Sequence, residues 1–274
     1  GLLSAGAWTA KWISGNYRVN RKKRYPADCF RKVFSVSDVR KARLYVTACG
    51  LYEVHINGRR AGNFVLAPGH TDYTKRIQYQ TYDVTSLIKE GENALTCELA
   101  DGWYRGSCGA WGLKNQYGTQ TKLLLQLEVY GTDGSCTRIC SDESWQWSND
   151  GPVRFADNKD GEIVEASRTP SYGGRAKLAK CKVVPVSSDN VPLTEHERFS
   201  SPGLIVTPEG KKVLDFGQNI AGYVQFTLRA AAGRKLKIRF GELLDDRGEF
   251  TQKNIPCDTK RRTRVTPLQQ ILST

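Results

Sequence analysis

The stretch that decides the fold is residues 41–62, which read KARLYVTACGLYEVHINGRRAG. Apolar and more polar side chains alternate along its first half, and the alternation resumes after Gly50. A period of two is typical of a half-buried β-strand. Asn57-Gly58 follows, and this pair readily adopts the positive φ that a tight hairpin turn needs. The stretch therefore predicts antiparallel strands with a hairpin turn at Asn57-Gly58.

Further short strands are predicted on the C-terminal side of this stretch, separated by turn clusters. They cover residues 63–67, 77–83, 93–100, 122–130 and 136–140, with one helical turn at 85–89. Many short strands with such punctuation indicate an all-β sandwich.

The regular strand pattern stops at residues 181–210. This segment contains four prolines, which predicts a linker or a crossing segment. Beyond them, apolar residues alternate over 224–228 and again over 236–240, which predicts a second hairpin. We therefore expect two β-sandwich units, residues 1–187 and a smaller unit at 188–274.

Composition excludes several protein classes. With 39% hydrophobic residues in 274, the chain has enough apolar material for a packed core. No apolar run approaches the roughly 20 residues that span a bilayer, so no membrane partner is expected. Residues 1–12 show no secretory signal, which favours a cytoplasmic location. The net charge of +13 is concentrated at 18–25 and 260–264, either as a nucleic-acid-binding surface or as solvated loops.

The eight cysteines are scattered along the chain, and several stand within apolar runs. This distribution favours buried free thiols in a reducing compartment over a disulfide framework. Cys136 and Cys140 are four residues apart, but no second pair or nearby histidine completes a zinc set.

An acidic turn is a candidate metal site. Asn158, Asp160 and Glu162 alternate around Gly161, so an extended backbone would present three oxygen ligands on one face. Hard oxygen donors suit Ca²⁺, the cofactor that this pattern suggests. The spacing is not that of an EF-hand, and an acidic surface turn without a metal is the favoured alternative.

The segment after the strand at 93–100 is a candidate sugar site, formed by Asp101, Trp103, Tyr104 and Arg105. Sugar faces stack on aromatic rings, and charged side chains bind hydroxyls. Alternatively, the two aromatics cover the open end of the sandwich. No local sequence isolates a catalytic carboxylate pair or a nucleophile motif, so no catalytic residue is assigned.

Taken together, these motifs resemble the N-terminal region of bacterial α-L-rhamnosidases. The similarity is carried by residues 42–62, by LAPGHTDYTKRIQYQTYDVT (66–85), EGENAL (90–95), ADGWYRG (100–106) and DGE (160–162), and by VLDFGQNIAGYVQFTLRAAAG (213–233) and GELLDDRGEF (241–250). The sequence departs from the family at His70, where Trp is usual, and at Val164-Glu165, where Tyr-Asp is usual.

The resemblance implies a jelly-roll, galactose-binding-like β-sandwich followed by a second, smaller and incomplete one. It implies a parent glycoside hydrolase that removes terminal L-rhamnose with inversion, using carboxylates of a helical barrel that follows the sandwiches. This chain lacks that barrel, so we expect it to be inactive alone. Some family members bind rhamnose through a Ca²⁺-dependent N-terminal sandwich, which makes rhamnose-containing carbohydrate the expected ligand. A spacer sandwich without a ligand is the alternative.

The resemblance also implies that strands beyond Thr274 complete the second sandwich. An unpaired sheet edge exposes N–H and C=O groups, which invites pairing with another chain. We therefore expect the last fifteen residues either to bind another molecule, including a second copy, or to be held by packing.

Overall fold

The computed structural model describes residues 5–109, 113–200, 202–227, 229–231, 233–254 and 270–273. Its strands, in chain order, are β1 (Ile13–Ser14), β2 (Asp28–Val36), β3 (Lys41–Cys49), β4 (Leu51–Ile56), β5 (Arg59–Arg60), β6 (Gln78–Asp83), β7 (Gly91–Ala100), β8 (Lys122–Tyr130), β9 (Cys136–Cys140), β10 (Gln146–Ser148), β11 (Val153–Asp157), β12 (Gly161–Glu165), β13 (Gly174–Arg175), β14 (Lys177–Leu178), β15 (Val186–Ser187), β16 (Gly203–Val206), β17 (Lys212–Asp215), β18 (Lys235–Lys237), β19 (Leu243–Leu244), β20 (Phe250–Thr251) and β21 (Gln270–Ser273).

Helical structure within these residues is limited to single turns. They are the α-helical turn α1 (Gly102–Arg105) and 3₁₀ turns at Ala5–Ala7 and Thr85–Leu87. The all-β prediction is confirmed, and so is the helical turn expected at residues 85–89. No helix among the described residues is long and apolar enough to cross a membrane.

Two large sheets build the first sandwich. One sheet has the order β14-β1-β8-β3-β6-β15, with β9 also paired to β8. The other has the order β13-β10-β2-β7-β4-β5. The stretch 41–62 supplies a strand to each sheet, because β3 lies in the first and β4 in the second. Gly50 joins them with φ at 137°, and a Cβ there would lie 2.4 Å from the Ala100 carbonyl oxygen. The chain therefore crosses between the sheets at a residue without a side chain.

The predicted hairpin is present between β4 and β5. Asn57 and Gly58 both have positive φ, at 52° and 76°, as a type I′ turn requires. The Asn57 side-chain Nδ2 donates to the Leu87 carbonyl at 2.9 Å and to Asn93 Oδ1 at 2.8 Å, and these bonds connect the turn to neighbouring segments.

The core lies between the two sheets, where apolar side chains from both inner faces meet. Trp145, at 0% exposure, is the largest fully buried side chain there, and its indole N–H donates to the Cys140 carbonyl at 2.8 Å. The largest others are Phe30, Ile13, Leu44, Ile56, Leu95, Leu99, Leu123, Leu125 and Leu127. Burial of this many large side chains is the main driving force for folding of the sandwich.

Residues 63–67 were expected to form a strand, and this prediction is wrong. Leu66 has φ at 59° and the segment turns there. The Val65 amide donates to the Leu193 carbonyl at 2.7 Å, so a remote segment rather than a neighbouring strand satisfies this backbone group.

The C-terminal half contains small sheets. β16 pairs with β17, β19 pairs with β20, and β11-β12-β21-β18 form a four-stranded sheet. The predicted hairpin between residues 224–228 and 236–240 is wrong: the described residues 224–227 form no strand, and β18 pairs with β21 instead. Tyr223 and Phe226 are exposed, at 59% and 37%, so among the described residues neither side chain is covered by a packed layer.

The final residues enter the four-stranded sheet. β21 runs parallel to β12 and antiparallel to β18, so residues 270–273 pair within this chain. The basic tail 260–264 and the remainder of the last fifteen residues lie outside the described residues. The boundary at residue 187 stays a prediction.

Candidate functional site

The predicted sugar site lies where β7 leaves the sandwich and α1 begins. Asp101 and Arg105 are both 5% exposed and form an ion pair, with Arg105 Nε donating to Asp101 Oδ1 at 2.7 Å and Nη2 2.6 Å from the same oxygen. Arg105 Nη1 donates to the Tyr17 hydroxyl at 2.5 Å. Arg105 also lies over the Tyr25 ring, 5.2 Å from its centroid. The charged groups expected to bind sugar hydroxyls are therefore paired with one another, although Arg105 Nη2 is buried with no properly aligned hydrogen bond among the described residues.

A glycine allows this turn to pack against the strand crossing. Gly102 has φ at 50°, and a Cβ there would lie 2.5 Å from Leu51 Cγ. Asp101 and Arg105 are four residues apart, so their side chains lie on the same face of this turn.

A second buried carboxylate accompanies the pair. Asp28 is 0% exposed and accepts hydrogen bonds from Thr121 Oγ1 at 2.7 Å and from Trp147 Nε1 at 2.9 Å. Burial raises the pKa of Asp28, and the Arg105 guanidinium opposes the rise. Burial likewise raises the pKa of Asp101 against the same guanidinium. One arginine thus compensates a region with two buried carboxyl groups.

The two aromatic residues of the motif differ in exposure. Tyr104 is 5% exposed and belongs to a second core cluster, where it meets Tyr73 edge to face with 5.2 Å between ring centroids. Its hydroxyl accepts from Lys122 Nζ at 3.2 Å. Trp103 is partly buried and meets His70 edge to face at 5.6 Å. Of the four predicted sugar-binding residues, Trp103 alone retains substantial accessible surface.

The acidic turn does not present its three oxygens on one extended face. Residues 158–160 form a turn between β11 and β12, and Glu162 lies within β12. Asp160 is paired with two cations. Lys114 Nζ lies 3.2 Å from Asp160 Oδ2, and the Arg24 guanidinium donates to the same oxygen. In the part of the chain that the structure describes, no group of three His, Cys, Asp or Glu could hold a metal ion. Calcium at Asn158, Asp160 and Glu162 stays a prediction.

Sequence reasoning missed Asp157, the residue that joins the two candidate sites. It is 4% exposed, and its Oδ2 accepts from the Ser107 amide at 2.6 Å and from Arg24 at 3.1 Å. Ser107 Oγ also donates to Asp160 at 2.9 Å. The loop 101–107 and the acidic turn are therefore one hydrogen-bonded unit. The position of Asp157 just before the turn was its only sequence signal.

Arg24 was expected to be part of a basic surface. It instead pairs with Asp157 and Asp160, and its guanidinium lies 4.5 Å from the centroid of the Phe155 ring. The positive charge of Arg24 is therefore neutralised by ion pairs within the protein, although Arg24 belongs to the basic run 18–25.

Comparisons with known proteins agree with this architecture. The family model described as the α-L-rhamnosidase N-terminal domain matches residues 37–208, and the bacterial α-L-rhamnosidase concanavalin-like domain matches residues 205–267. An α-L-rhamnosidase from Streptomyces avermitilis is 41% identical over 229 residues, which are 79% of this chain and 22% of that protein. One from Formosa agariphila is 35% identical over 280 residues, covering 93% of this chain and 29% of the relative.

Solved structures give the same result. The native α-L-rhamnosidase of Aspergillus terreus superposes with a TM-score of 0.89 at 31% identity, over 100% of this chain and 32% of its own. The Streptomyces avermitilis α-L-rhamnosidase complexed with L-rhamnose gives a TM-score of 0.81 at 35% identity, over 92% of this chain and 25% of its own. The chain thus spans less than a third of the length of these relatives. It belongs to the α-L-rhamnosidase N-terminal domain family and corresponds to part of such an enzyme.

Proposed function

We propose that this chain is a non-catalytic portion of an α-L-rhamnosidase, in which the sandwich supports the domain that hydrolyses terminal α-L-rhamnose. The buried Asp101–Arg105 pair carries the proposal. Both groups are 5% exposed and bonded to each other, so the family motif ADGWYRG here stabilises the end of the sandwich. A sugar would have to break this pair before it could bind either group.

Rhamnose binding at Trp103 is the second candidate. It is favoured by the partial exposure of Trp103 and by the relative whose structure was determined with L-rhamnose. A sugar face stacked on one aromatic ring gives weak affinity, and a millimolar Kd corresponds to about −4 kcal/mol. The Asn158–Glu162 turn adjoins this loop and is where calcium would act on such binding.

An NMR titration separates the two candidates. The chain is titrated with L-rhamnose to tens of millimolar, once with Ca²⁺ and once with EDTA. A supporting sandwich shows no saturating shifts in either condition. Shifts that saturate, are lost in Trp103→Ala and persist in Phe199→Ala, an exposed aromatic in the C-terminal half, would establish rhamnose binding.

Activity is tested on the same sample with an aryl α-L-rhamnoside. We expect no turnover above that of buffer, because no inverting pair of carboxylates is assigned to this chain. Turnover that follows the protein through purification would overturn the non-catalytic assignment.

A further inference from the structure

Two thiols from distant segments meet beside the second core cluster. Cys49, the last residue of β3, is 1% exposed and belongs to this cluster. Cys181, three residues after β14, is partly exposed and packs against it. Each thiol acts on the pKa of the other, so the two sulfur atoms are neighbours within this cluster, and neither cysteine is in a disulfide. Cys181 Sγ also lies 3.8 Å from the Val183 carbonyl oxygen.

A cation is built into the same place. Lys122 on β8 lies directly opposite Cys49 on β3, so their side chains share one face of the sheet. Lys122 Nζ donates to the Tyr104 hydroxyl at 3.2 Å, which holds the ammonium group beside the two thiols. A nearby lysine is typical of reactive cysteine sites, because it favours the thiolate.

The two thiols are thereby made unequal. The hydrogen bond from Cys49 lowers the pKa of Cys181 to about 6, with the Val183 backbone and Lys122 acting in the same direction and burial opposing them. The same hydrogen bond and burial raise the pKa of Cys49. The thiolate is therefore favoured on the partly exposed Cys181, and the thiol on the buried Cys49.

We propose that Cys49 and Cys181 form a redox-active pair that a small disulfide such as oxidised glutathione converts into an intramolecular disulfide. The Cys181 thiolate attacks one glutathione sulfur, forms a mixed disulfide and releases one glutathione thiolate, which takes a proton. The Cys49 sulfur then attacks the Cys181 sulfur, and the Cys49 proton passes to the second glutathione sulfur, which leaves as a thiol. The protein loses two electrons and oxidised glutathione gains them.

The cross-link would have a structural effect at a specific place. It would tie the end of β3 to the segment between β14 and β15, the last two strands of the same sheet in chain order. The enclosed loop of about 130 residues is long, and cross-links that close long loops restrict the unfolded chain most. We expect oxidation to raise Tm by about 5 °C or more.

The first experiment measures thiol reactivity. The full chain is alkylated with iodoacetamide between pH 5 and 9, and each cysteine is followed by peptide mass spectrometry. At pH 7 we expect Cys181 to react at least about tenfold faster than Cys136, a partly exposed cysteine on β9. The alkylation rate of Cys181 should rise with pH with a midpoint near pH 6. Equal rates and a midpoint above pH 8 would overturn the proposal.

The second experiment traps the intermediate. After treatment with oxidised glutathione, wild-type protein should yield a Cys49–Cys181 cross-linked peptide and no lasting adduct at Cys181. Cys49→Ala cannot complete the second step, so it should accumulate glutathione on Cys181, whereas Cys136→Ser should behave as wild type. A stable adduct on wild-type Cys181, or cross-links to other cysteines instead, would overturn the proposal without requiring any variant to fold.

Discussion

Replacing Arg105 with methionine would leave Asp101 as a buried carboxylate without its cation. The Asp101 side chain is 7% exposed, and Arg105→Met removes both nitrogen atoms, Nε and Nη2, that contact its Oδ1. Removing one partner of a buried ion pair costs about 3–5 kcal/mol, because the remaining charge is uncompensated. For a unit of this size, that corresponds to a fall in Tm of about 6–20 °C.

The loss should depend on pH in a defined direction. Without Arg105, burial and the Asp157 carboxylate still raise the pKa of Asp101 and only Arg24 opposes them, so this pKa in the folded protein lies further above the unfolded value. A group with a raised folded pKa stabilises the fold below the unfolded pKa, and this contribution is lost as pH rises through the folded pKa. Arg105→Met should therefore be less destabilising at pH 4.5 than at pH 7.

Urea unfolding of four proteins tests this reasoning: wild type, Arg105→Met, Asp101→Leu and the double variant. The double variant buries no charge at this pair, so it should recover much of the stability that Arg105→Met loses. The reasoning is refuted if Arg105→Met costs less than about 1 kcal/mol at pH 7, or if its cost is the same at pH 4.5.

Two further predictions concern the sheet and the loop. Glu98 on β7 lies directly opposite Glu53 on β4, and burial and the Glu53 carboxylate raise the pKa of Glu98. The free energy of unfolding of the wild type should therefore fall as the pH rises through the Glu98 pKa of the folded protein. Glu98→Gln should then raise the free energy of unfolding at pH 7 by about 0.5–1 kcal/mol, while Glu92→Gln, at an exposed position of the same strand, changes it little; a loss in Glu98→Gln contradicts this. Gly118→Ala would place a Cβ 2.1 Å from the Tyr104 hydroxyl oxygen and should cost about 1–3 kcal/mol in urea unfolding, whereas a cost below about 0.5 kcal/mol would show that Tyr104 moves aside freely.

The fold was predictable where local pattern and tertiary environment agree. The stretch 41–62 alternates apolar and polar residues on both sides of Gly50 and contains Asn57-Gly58; its strands are present as β3 and β4, and the local turn has the positive φ values that this pair favours. Residues 63–67 failed because Val65 bonds to Leu193, a partner that no local pattern reveals. Residues 224–227 alternate as a strand would, yet residues 225–227 are exposed and no described strand pairs with them, since alternation alone does not form a strand.

The site was predictable in its residues but not in their burial. Asp101 and Arg105 stand four apart, so their pairing on one helical turn was accessible from sequence. Their exclusion from solvent depends on Tyr17 and Tyr25, which approach from a segment about 80 residues earlier. Sequence patterns name the charged groups of a motif, but only the packed fold decides whether those groups face solvent or each other.

The hydrogen bonds of Asp157 connect the two predicted sites and limit what either can do. Asp157 uses its carboxylate to hold the Ser107 amide and Arg24, and Asp160 holds Ser107 Oγ and the same arginine. A cation that recruited these carboxylates would have to displace Arg24 and release the loop that carries Trp103. If calcium bound at this turn, as proposed above, its binding would be coupled to the loop conformation, and a Ca²⁺-dependent change at Trp103 would pass through Asp157 and Ser107.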